Sequence, residues 1–296
     1  MNWTIGPLLA GTDFSEGAEK ALQRASMLAR EHQVPLRVLH ALGDGDWLAR
    51  LDRLTHGHFN EELLRRAAGS QLARLRERLL EEGVASVETE IVGGPLHQSL
   101  PELAQDHVCG VFVMGSRGEG TLREGLLGST ADRVLRSGSL PVLLCRGEPR
   151  PWRRVVLATD FSLASAQAAV LGLLIAPQAS HYLLHACELA LDRGLAFANA
   201  SLETREAYEQ QAWDEASRQL AAFAAALGPQ GSAVTRAPRR GPPAAVLEAF
   251  VAEAEINLVV VGTRPRARWE ANLLGSTALF ATNRLGCDVL LVPLKA

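Results

Sequence analysis

Glycine and hydroxyl residues cluster in one segment of the first half of the chain. Gly115-Ser-Arg-Gly118 is followed, after nine residues, by Gly128-Ser129-Thr130. Glycines allow backbone N–H groups to approach a ligand without a Cβ in the way. The segment starts where an apolar, strand-like run ends and finishes where a helical pattern begins, and a helix N-terminus offers unpaired N–H donors and the positive end of the dipole. The spacing therefore predicts an anion site, most simply for phosphate.

A carboxylate stands at a second strand end. Asp13 follows the first apolar run, and ligands of doubly wound sheets bind outside the carboxyl ends of the strands. If the first and fourth strands are neighbours, Asp13 faces the same crevice as Gly115 and can bond a sugar or base while the glycine loop holds phosphates. The residues alone leave two alternatives open, because glycine-rich turns also occur without a ligand and Asp13 could simply cap the helix that begins near Ser15.

The whole pattern occurs twice. Thr12-Asp13-Phe14-Ser15, Gly115-Ser116-Arg117 and Gly128-Ser129-Thr130 return, each 147 residues later, as Thr159-Asp160-Phe161-Ser162, Gly262-Thr263-Arg264 and Gly275-Ser276-Thr277. His40-Ala41 also returns, as His185-Ala186. A constant offset of this kind indicates a tandem duplication. We expect two domains, 1–148 and 152–296, joined by a short Gly/Pro-containing linker.

The second copy departs from the first at one position. Pro265 replaces the second glycine of the loop, and proline has no N–H to donate and a fixed φ. Arg264, Arg266 and Arg268 add positive charge that could retain an anion, although a solvated arginine-rich loop is the simpler interpretation. We therefore expect a weaker second site and keep binding in both halves as the alternative. Its candidate residues are Asp160, Ala186, Gly262, Gly275, Ser276 and Thr277.

Short apolar runs alternate with helical patterns in both halves, which is typical of βαβ units around a parallel sheet. The helices of the first half are expected near Ser15–His32, Asn60–Glu82, Leu96–His107 and Ser129–Arg136, with Ser15 as an N-cap and Gly83 as a stop. A loop is expected over Leu42–Phe59. The strands are expected near Ile5–Ala10, Leu36–Ala41, Val87–Val92, Val111–Gly115 and Pro141–Cys145, and then near Val155–Ala158, Tyr182–Ala186, Ala233–Arg236, Leu258–Gly262 and Val289–Val292.

Composition excludes several classes of protein. A net charge of −3 and only 15 aromatic residues in 296 disfavour nucleic-acid binding. No apolar run approaches the ~18 residues that span a membrane. The N-terminus lacks the pattern of a signal peptide, and four dispersed cysteines favour a reducing compartment, so we expect a cytoplasmic protein. A P-loop, a dinucleotide G-x-G-x-x-G and a G-x-S-x-G elbow are all missing from the sequence.

No metal site is expected from the histidines. His181 and His185 have a zinc-like spacing, but on a strand they would lie about 13 Å apart. His56 and His58 fall in a polar loop, where solvation is the simpler interpretation.

The pattern G-x2-G-x9-G-[ST], with an aspartate after the first strand, resembles that of the universal stress protein family, once per half. The resemblance implies an α/β fold of two tandem five-stranded parallel-sheet domains, Rossmann-like and related to the adenine nucleotide alpha hydrolases, with strand order 3-2-1-4-5. It also implies pairing through the last strands, Pro141–Cys145 and Val289–Val292, so that the halves pack as an intramolecular pseudo-dimer.

The resemblance further implies that ATP, with or without Mg²⁺, or another adenine nucleotide occupies the crevice. Asp13 would contact the adenine or ribose, the Ala41 backbone the adenine edge, and Met114 and Gly115 the ribose. The phosphates would be held by Arg117, Gly118, Gly128, Ser129 and Thr130.

These features predict a stress-response protein that uses ATP as a regulatory ligand in its first domain and acts on protein partners that the sequence does not identify. The sequence contains no clear general base, so at most slow ATP hydrolysis or self-phosphorylation is expected. A nucleotide-free interaction scaffold of the same fold is the alternative. Whole chains could also form a homodimer.

Overall fold

The computed structural model describes residues 5–43, 61–106, 110–116, 127–138, 140–188, 201–264 and 274–294. The first half contains β1 (Leu8–Gly11), α1 (Glu16–His32), β2 (Leu36–Ala41), α2 (Glu61–Glu81), β3 (Val87–Val92), α3 (Leu96–Asp106), β4 (Phe112–Gly115), α4 (Ser129–Ser137) and β5 (Val142–Cys145). The second half contains β6 (Arg154–Ala158), α5 (Leu163–Ile175), β7 (Ser180–Cys187), α6 (Leu202–Ala226), β8 (Thr235–Arg240), α7 (Pro243–Glu253), β9 (Leu258–Thr263), α8 (Ser276–Arg284) and β10 (Asp288–Pro293).

All ten strands belong to one sheet, in the order β3-β2-β1-β4-β5-β10-β9-β6-β7-β8. Pairing is parallel within each half, and β5 and β10 pair antiparallel, with Leu144 opposite Val289 and Leu143 opposite Leu290. The order 3-2-1-4-5 is therefore confirmed in both halves. The last strand of each half, which would otherwise leave a hydrogen-bonding edge exposed, is covered by its counterpart, so the halves pack as the expected pseudo-dimer.

Alternating side chains of the strands supply two hydrophobic layers, one on each face of the sheet. In β1, Leu8 packs with the layer that holds Leu72 of α2, whereas Leu9 packs with the layer that holds Leu100 of α3. Each layer continues into the second half, through Leu220 of α6 and Leu247 of α7 respectively. The central strands β1, β4 and β5 are buried at every position, which explains their continuous apolar runs.

The ends of the helices follow local sequence signals. The Ser15 Oγ accepts a 3.2 Å hydrogen bond from the Ala18 N–H and caps α1, and Ser162 caps α5 in the same way through Ser165. Gly83, just beyond α2, has a φ of 94°, a left-handed conformation that glycine adopts without penalty. Both the predicted N-cap and the predicted stop are confirmed.

One predicted strand was misplaced. The run near Ala233–Arg236 is partly a 3₁₀ turn, Pro229–Ala233, and the strand lies at Thr235–Arg240. This strand, β8, is at the edge of the sheet, where proline and arginine are tolerated because one side needs no ladder partner. The first strand also starts later than predicted, at Leu8 rather than Ile5. Most of the loop predicted at Leu42–Phe59 lies outside the described residues.

A buried ion pair fastens the linker to both halves. The Asp288 carboxylate, at the start of β10, accepts hydrogen bonds from Trp152 Nε1 at 2.9 Å and from the backbone N–H groups of Arg146 and Gly147 at 2.8 and 3.0 Å. Arg24 of α1 lies 3.1 Å from the same carboxylate, and its guanidinium stacks 4.4 Å from the centre of the Trp152 ring. The first helix, the linker and the last strand are thereby joined.

Within the described ranges, no helix has the length and apolar character needed to cross a membrane.

Candidate functional site

The topology brings the predicted strand ends of the first half to one crevice. β1 and β4 are parallel neighbours, with Leu9 opposite Phe112. Their carboxyl ends therefore lie side by side at one end of the sheet. There Asp13 follows β1 and Ser116 follows β4. The Gly128 N–H donates to the Ser116 carbonyl at 3.0 Å, so α4 also begins at this end of the sheet.

Asp13 supports the capping turn of α1. Its Oδ1 accepts hydrogen bonds from the Ser15 N–H at 3.0 Å and from the Ser15 hydroxyl at 2.5 Å. The helix itself is capped by Ser15. The Asp13 side chain is exposed at the mouth of the crevice, where it can meet a ligand without leaving this turn.

Helix α4 begins without a side-chain cap. Gly128 occupies the N-cap position with φ −65° and ψ 149°, and within the described part of the chain no side chain accepts from the first turn. The exposed Ser129 and Thr130 hydroxyls stand beside these N–H groups. Because the first N–H groups of a helix need acceptors, this terminus has donors available for an anion.

The remaining first-half candidates surround these groups or lie outside the described residues. Ala41 is the half-buried last residue of β2, and Met114 and Gly115 are the buried last residues of β4. Arg117 and Gly118, both predicted phosphate ligands, lie outside the described residues.

The corresponding crevice of the second half encloses a cavity of about 500 Å³. All six residues predicted for the weaker site line it: Asp160, Ala186, Gly262, Gly275, Ser276 and Thr277. Reasoning from the sequence missed His185, Ser165 and Pro243, which line it as well. The repeated His-Ala pair near the end of the second strand of each half was the available signal for His185.

An ion pair crosses this cavity. Arg264 donates to the Asp160 Oδ2 at 2.7 Å, and both side chains are more than half exposed. Partial burial by itself raises the pKa of Asp160, but hydrogen bonds from Ser162 and Ser165 together with the charge of Arg264 outweigh it and hold that pKa below the ordinary value. Asp160 is therefore an ionised carboxylate that already has a cationic partner.

Two of the glycines that line the cavity differ in the space around them. A Cβ on Gly262 would lie 2.4 Å from the Ala164 carbonyl oxygen of α5, so the packing of the fold requires a glycine there. A Cβ on Gly275 would meet nothing within 4 Å, and its φ of −58° suits any residue. The missing side chain at Gly275 leaves the uncapped start of α8 open to the cavity.

The described residues contain no group of three or more side chains that could together hold a metal ion. His181 and His185 both lie on β7. Burial lowers the pKa of His181, against the opposing effect of the Gly172 and Ala179 backbone carbonyls, and so favours the neutral ring. His56, His58, Pro265, Arg266 and Arg268 lie outside the described residues.

Comparison with known proteins gives one consistent result. Universal stress protein MJ0577 of Methanocaldococcus jannaschii is 26% identical over 152 residues, covering 47% of this chain and 93% of that protein. Universal stress protein YxiE of Bacillus subtilis is 30% identical over 147 residues, covering 47% and 97%. Each relative thus aligns with about half of this chain.

A solved structure matches both halves together. The crystal structure of a universal stress protein from Archaeoglobus fulgidus superposes with a TM-score of 0.74, at 19% identity, over 97% of this chain and 98% of that one. At this identity the likeness shows the fold. The family model described as the universal stress protein family matches residues 4–146 and again residues 151–293. Because these two matches take in nearly the whole sequence, the chain belongs to the universal stress protein family and carries its domain twice in tandem.

Proposed function

We propose that this chain is a cytoplasmic stress-response protein that binds ATP, or another adenine nucleotide, as a regulatory ligand in its first domain, residues 1–148. The observation that carries the proposal is the uncapped start of α4 at Gly128, which follows β4 at the same end of the sheet at which Asp13 follows β1. The N–H donors of such a terminus can bind phosphate oxygens. The strand-end carboxylate suits the hydroxyl or amino groups at the other end of a nucleotide.

The residues assigned to the nucleotide remain those of the sequence motif. Asp13 and the backbone of Ala41 would hold the adenosine end, and Met114 and Gly115 would line the ribose. The phosphates would lie against Arg117, Gly118, Gly128, Ser129 and Thr130. A magnesium ion would arrive with the nucleotide and be held chiefly by its phosphates, because Mg²⁺ is usually bound through substrate phosphates and few protein oxygens.

We infer that the second domain, residues 152–296, binds nucleotide more weakly. Pro265 removes one N–H donor from its loop, and Asp160 is already paired with Arg264. A ligand that needs the Asp160 carboxylate must therefore compete with a cation that is already in place.

Regulation is favoured over turnover because the sequence offers no clear general base for hydrolysis. Occupancy of the first domain would change the affinity for an unidentified protein partner, or the stability of the chain. Whole chains could pair further into a homodimer.

Calorimetry on matched variants tests the assignment. Gly128→Asp supplies α4 with a capping carboxylate and places negative charge where the phosphates would lie. Gly275→Asp does the same to α8 and serves as the matched control. We expect one tight ATP site per intact chain, which is lost after Gly128→Asp and kept after Gly275→Asp; the second variant should affect only the weaker site.

Other outcomes lead to other functions. Loss of ATP binding only in Gly275→Asp would reverse the assignment of the halves. A folded intact chain that releases no heat with ATP, ADP or AMP would overturn the nucleotide proposal and favour the interaction scaffold. ADP production that is lost in Gly128→Asp would make the chain an enzyme.

A further inference from the structure

A histidine on the second strand of each half contacts the residue before the strand-end aspartate. His40, next to last in β2, has its Nδ1 2.9 Å from the Thr12 carbonyl oxygen, and His185 of β7 has the same distance to the Thr159 carbonyl. A carbonyl oxygen only accepts, so Nδ1 carries the proton and donates in both cases. The same contact thus recurs in the two copies of the domain.

The same histidines also cover the residue after the aspartate. The Phe14 ring lies 4.6 Å from the His40 ring, and the Phe161 ring 4.1 Å from the His185 ring, measured between centroids. Phe14 and Phe161 both have a φ of 62°, a left-handed conformation that bulky residues rarely adopt. Glycine adopts a comparable conformation at Gly138, whose φ is 60°. A phenylalanine here is thus held by its contacts rather than by backbone preference.

Hydrogen bonds complete the turn. The Thr12 Oγ1 accepts from the Phe14 N–H at 3.0 Å, and the Asp13 Oδ1 accepts from the Ser15 N–H at 3.0 Å. In the second half the equivalent distances are 2.9 and 3.0 Å. The direction of each aspartate therefore depends on a left-handed turn, and the neighbouring histidine contacts the residue on either side of that aspartate.

We propose that His40 and His185 are positioning residues, which fix the direction of the strand-end aspartates Asp13 and Asp160 toward the ligand crevices. Each donates to the carbonyl before the aspartate and packs on the phenylalanine after it. This inference rests on the proposed function for its effect on affinity. It concerns residues for which the glycine motif gives no role.

The two halves provide a matched experiment. His40→Ala and His185→Ala remove equivalent contacts, so both are expected to lower the melting temperature by similar amounts. Only His40→Ala should weaken ATP binding to the first domain, by about tenfold, which corresponds to 1.4 kcal/mol. His40→Asn keeps an N–H donor near the position of Nδ1 and should restore most of the affinity. Equal losses of affinity in the two alanine variants, no loss in His40→Ala, or no recovery in His40→Asn would overturn the inference.

Amide hydrogen exchange separates this inference from the proposed function. His40→Ala should speed exchange at Phe14 and Ser15, and His185→Ala at Phe161 and Ser162, with or without nucleotide. If the intact chain binds no adenine nucleotide, the proposed function fails, but localised loss of protection would still support the positioning role. Unchanged exchange at these four amides would overturn it.

Discussion

Replacing Asp288 with alanine is expected to destabilise the chain by about 3–5 kcal/mol, the usual cost of leaving one member of a buried ion pair without its partner. The carboxylate is 1% exposed, and the Arg24 side chain 4%. Its removal would leave the Arg24 guanidinium without an anion and three N–H donors without their acceptor, on Arg146, Gly147 and Trp152.

Two features of the site limit this cost. Arg24 keeps its hydrogen bonds to the carbonyls of Glu148 and Arg150, and its stacking on Trp152. Water entering the space left by the carboxylate can also satisfy part of the orphaned polar surface. We therefore expect a loss nearer 3 than 5 kcal/mol. Removing both charges, in Arg24→Met with Asp288→Ala, should cost at least about 1 kcal/mol less than the sum of the two single variants, because each single variant leaves one buried charge unpaired and the double variant leaves neither.

Urea unfolding at neutral pH measures these free energies, and the chain offers a matched control. Arg240 lies 3.1 Å from Glu209 and 5.4 Å from the Trp213 ring centre, so it repeats the Arg24 arrangement on the surface. Because both charges are partly solvated there, Glu209→Ala should cost less than about 1 kcal/mol. If Asp288→Ala costs as little as Glu209→Ala, or if the double variant shows no coupling, the buried pair does not fasten the two halves.

Three further outcomes follow from the second half and the thiols. Gly262→Ala should lower stability by about 1–3 kcal/mol, because its new Cβ overpacks against α5. The Cβ of Gly275→Ala enters open space and should change stability by less than about 1 kcal/mol. Thermal unfolding of the two variants measures both effects. The pKa of Asp160 lies below its ordinary value of 3.8. The stability that this carboxylate contributes is therefore complete above its unfolded-state pKa and is lost as the pH falls through its folded-state pKa. Arg264→Ala should raise the folded-state pKa of Asp160, as an NMR titration can test. Burial raises the pKa of Cys287 to about 12 and that of Cys145 well above 9.0, so thiol reagents at pH 8 should label both residues much more slowly in the folded chain than in urea, as mass spectrometry of the labelled peptides can test.

The sequence predicted most strands to within two residues, including the edge strand β3 at Val87–Val92, but it misplaced the other edge strand, β8. β5, at Val142–Cys145, is buried at every position and lies within the apolar run, Pro141–Cys145, that predicted it, because burial on both faces demands apolar side chains. β8, at Thr235–Arg240, contains Pro238 and three arginines and has no such pattern. Its place is determined by pairing with β7, Tyr182 opposite Thr235, which is information that no local window contains.

The same limit applies to the candidate sites. Asp13 and Gly128 could be located because strand ends and helix starts leave local signals in glycine, serine and aspartate. The contact of His40 with Thr12 spans 28 residues, and that of Arg264 with Asp160 spans 104. These contacts form only when the sheet brings distant residues together. The sequence therefore indicated the residues at the crevices but not the His40 and Arg264 contacts beside them.

The tandem arrangement explains why the two crevices were free to differ. In a symmetric dimer of identical domains, every contact across the β5–β10 seam would occur twice. Here the position 147 residues before Asp288 is Pro141, and the position 147 residues after Arg24 is Leu171, so this buried ion pair can form on only one side of the seam. Joining the halves in one chain removes the requirement that they stay identical. Pro265 could therefore enter the second loop without altering the Gly118 of the first, so the two crevices need not share one binding property.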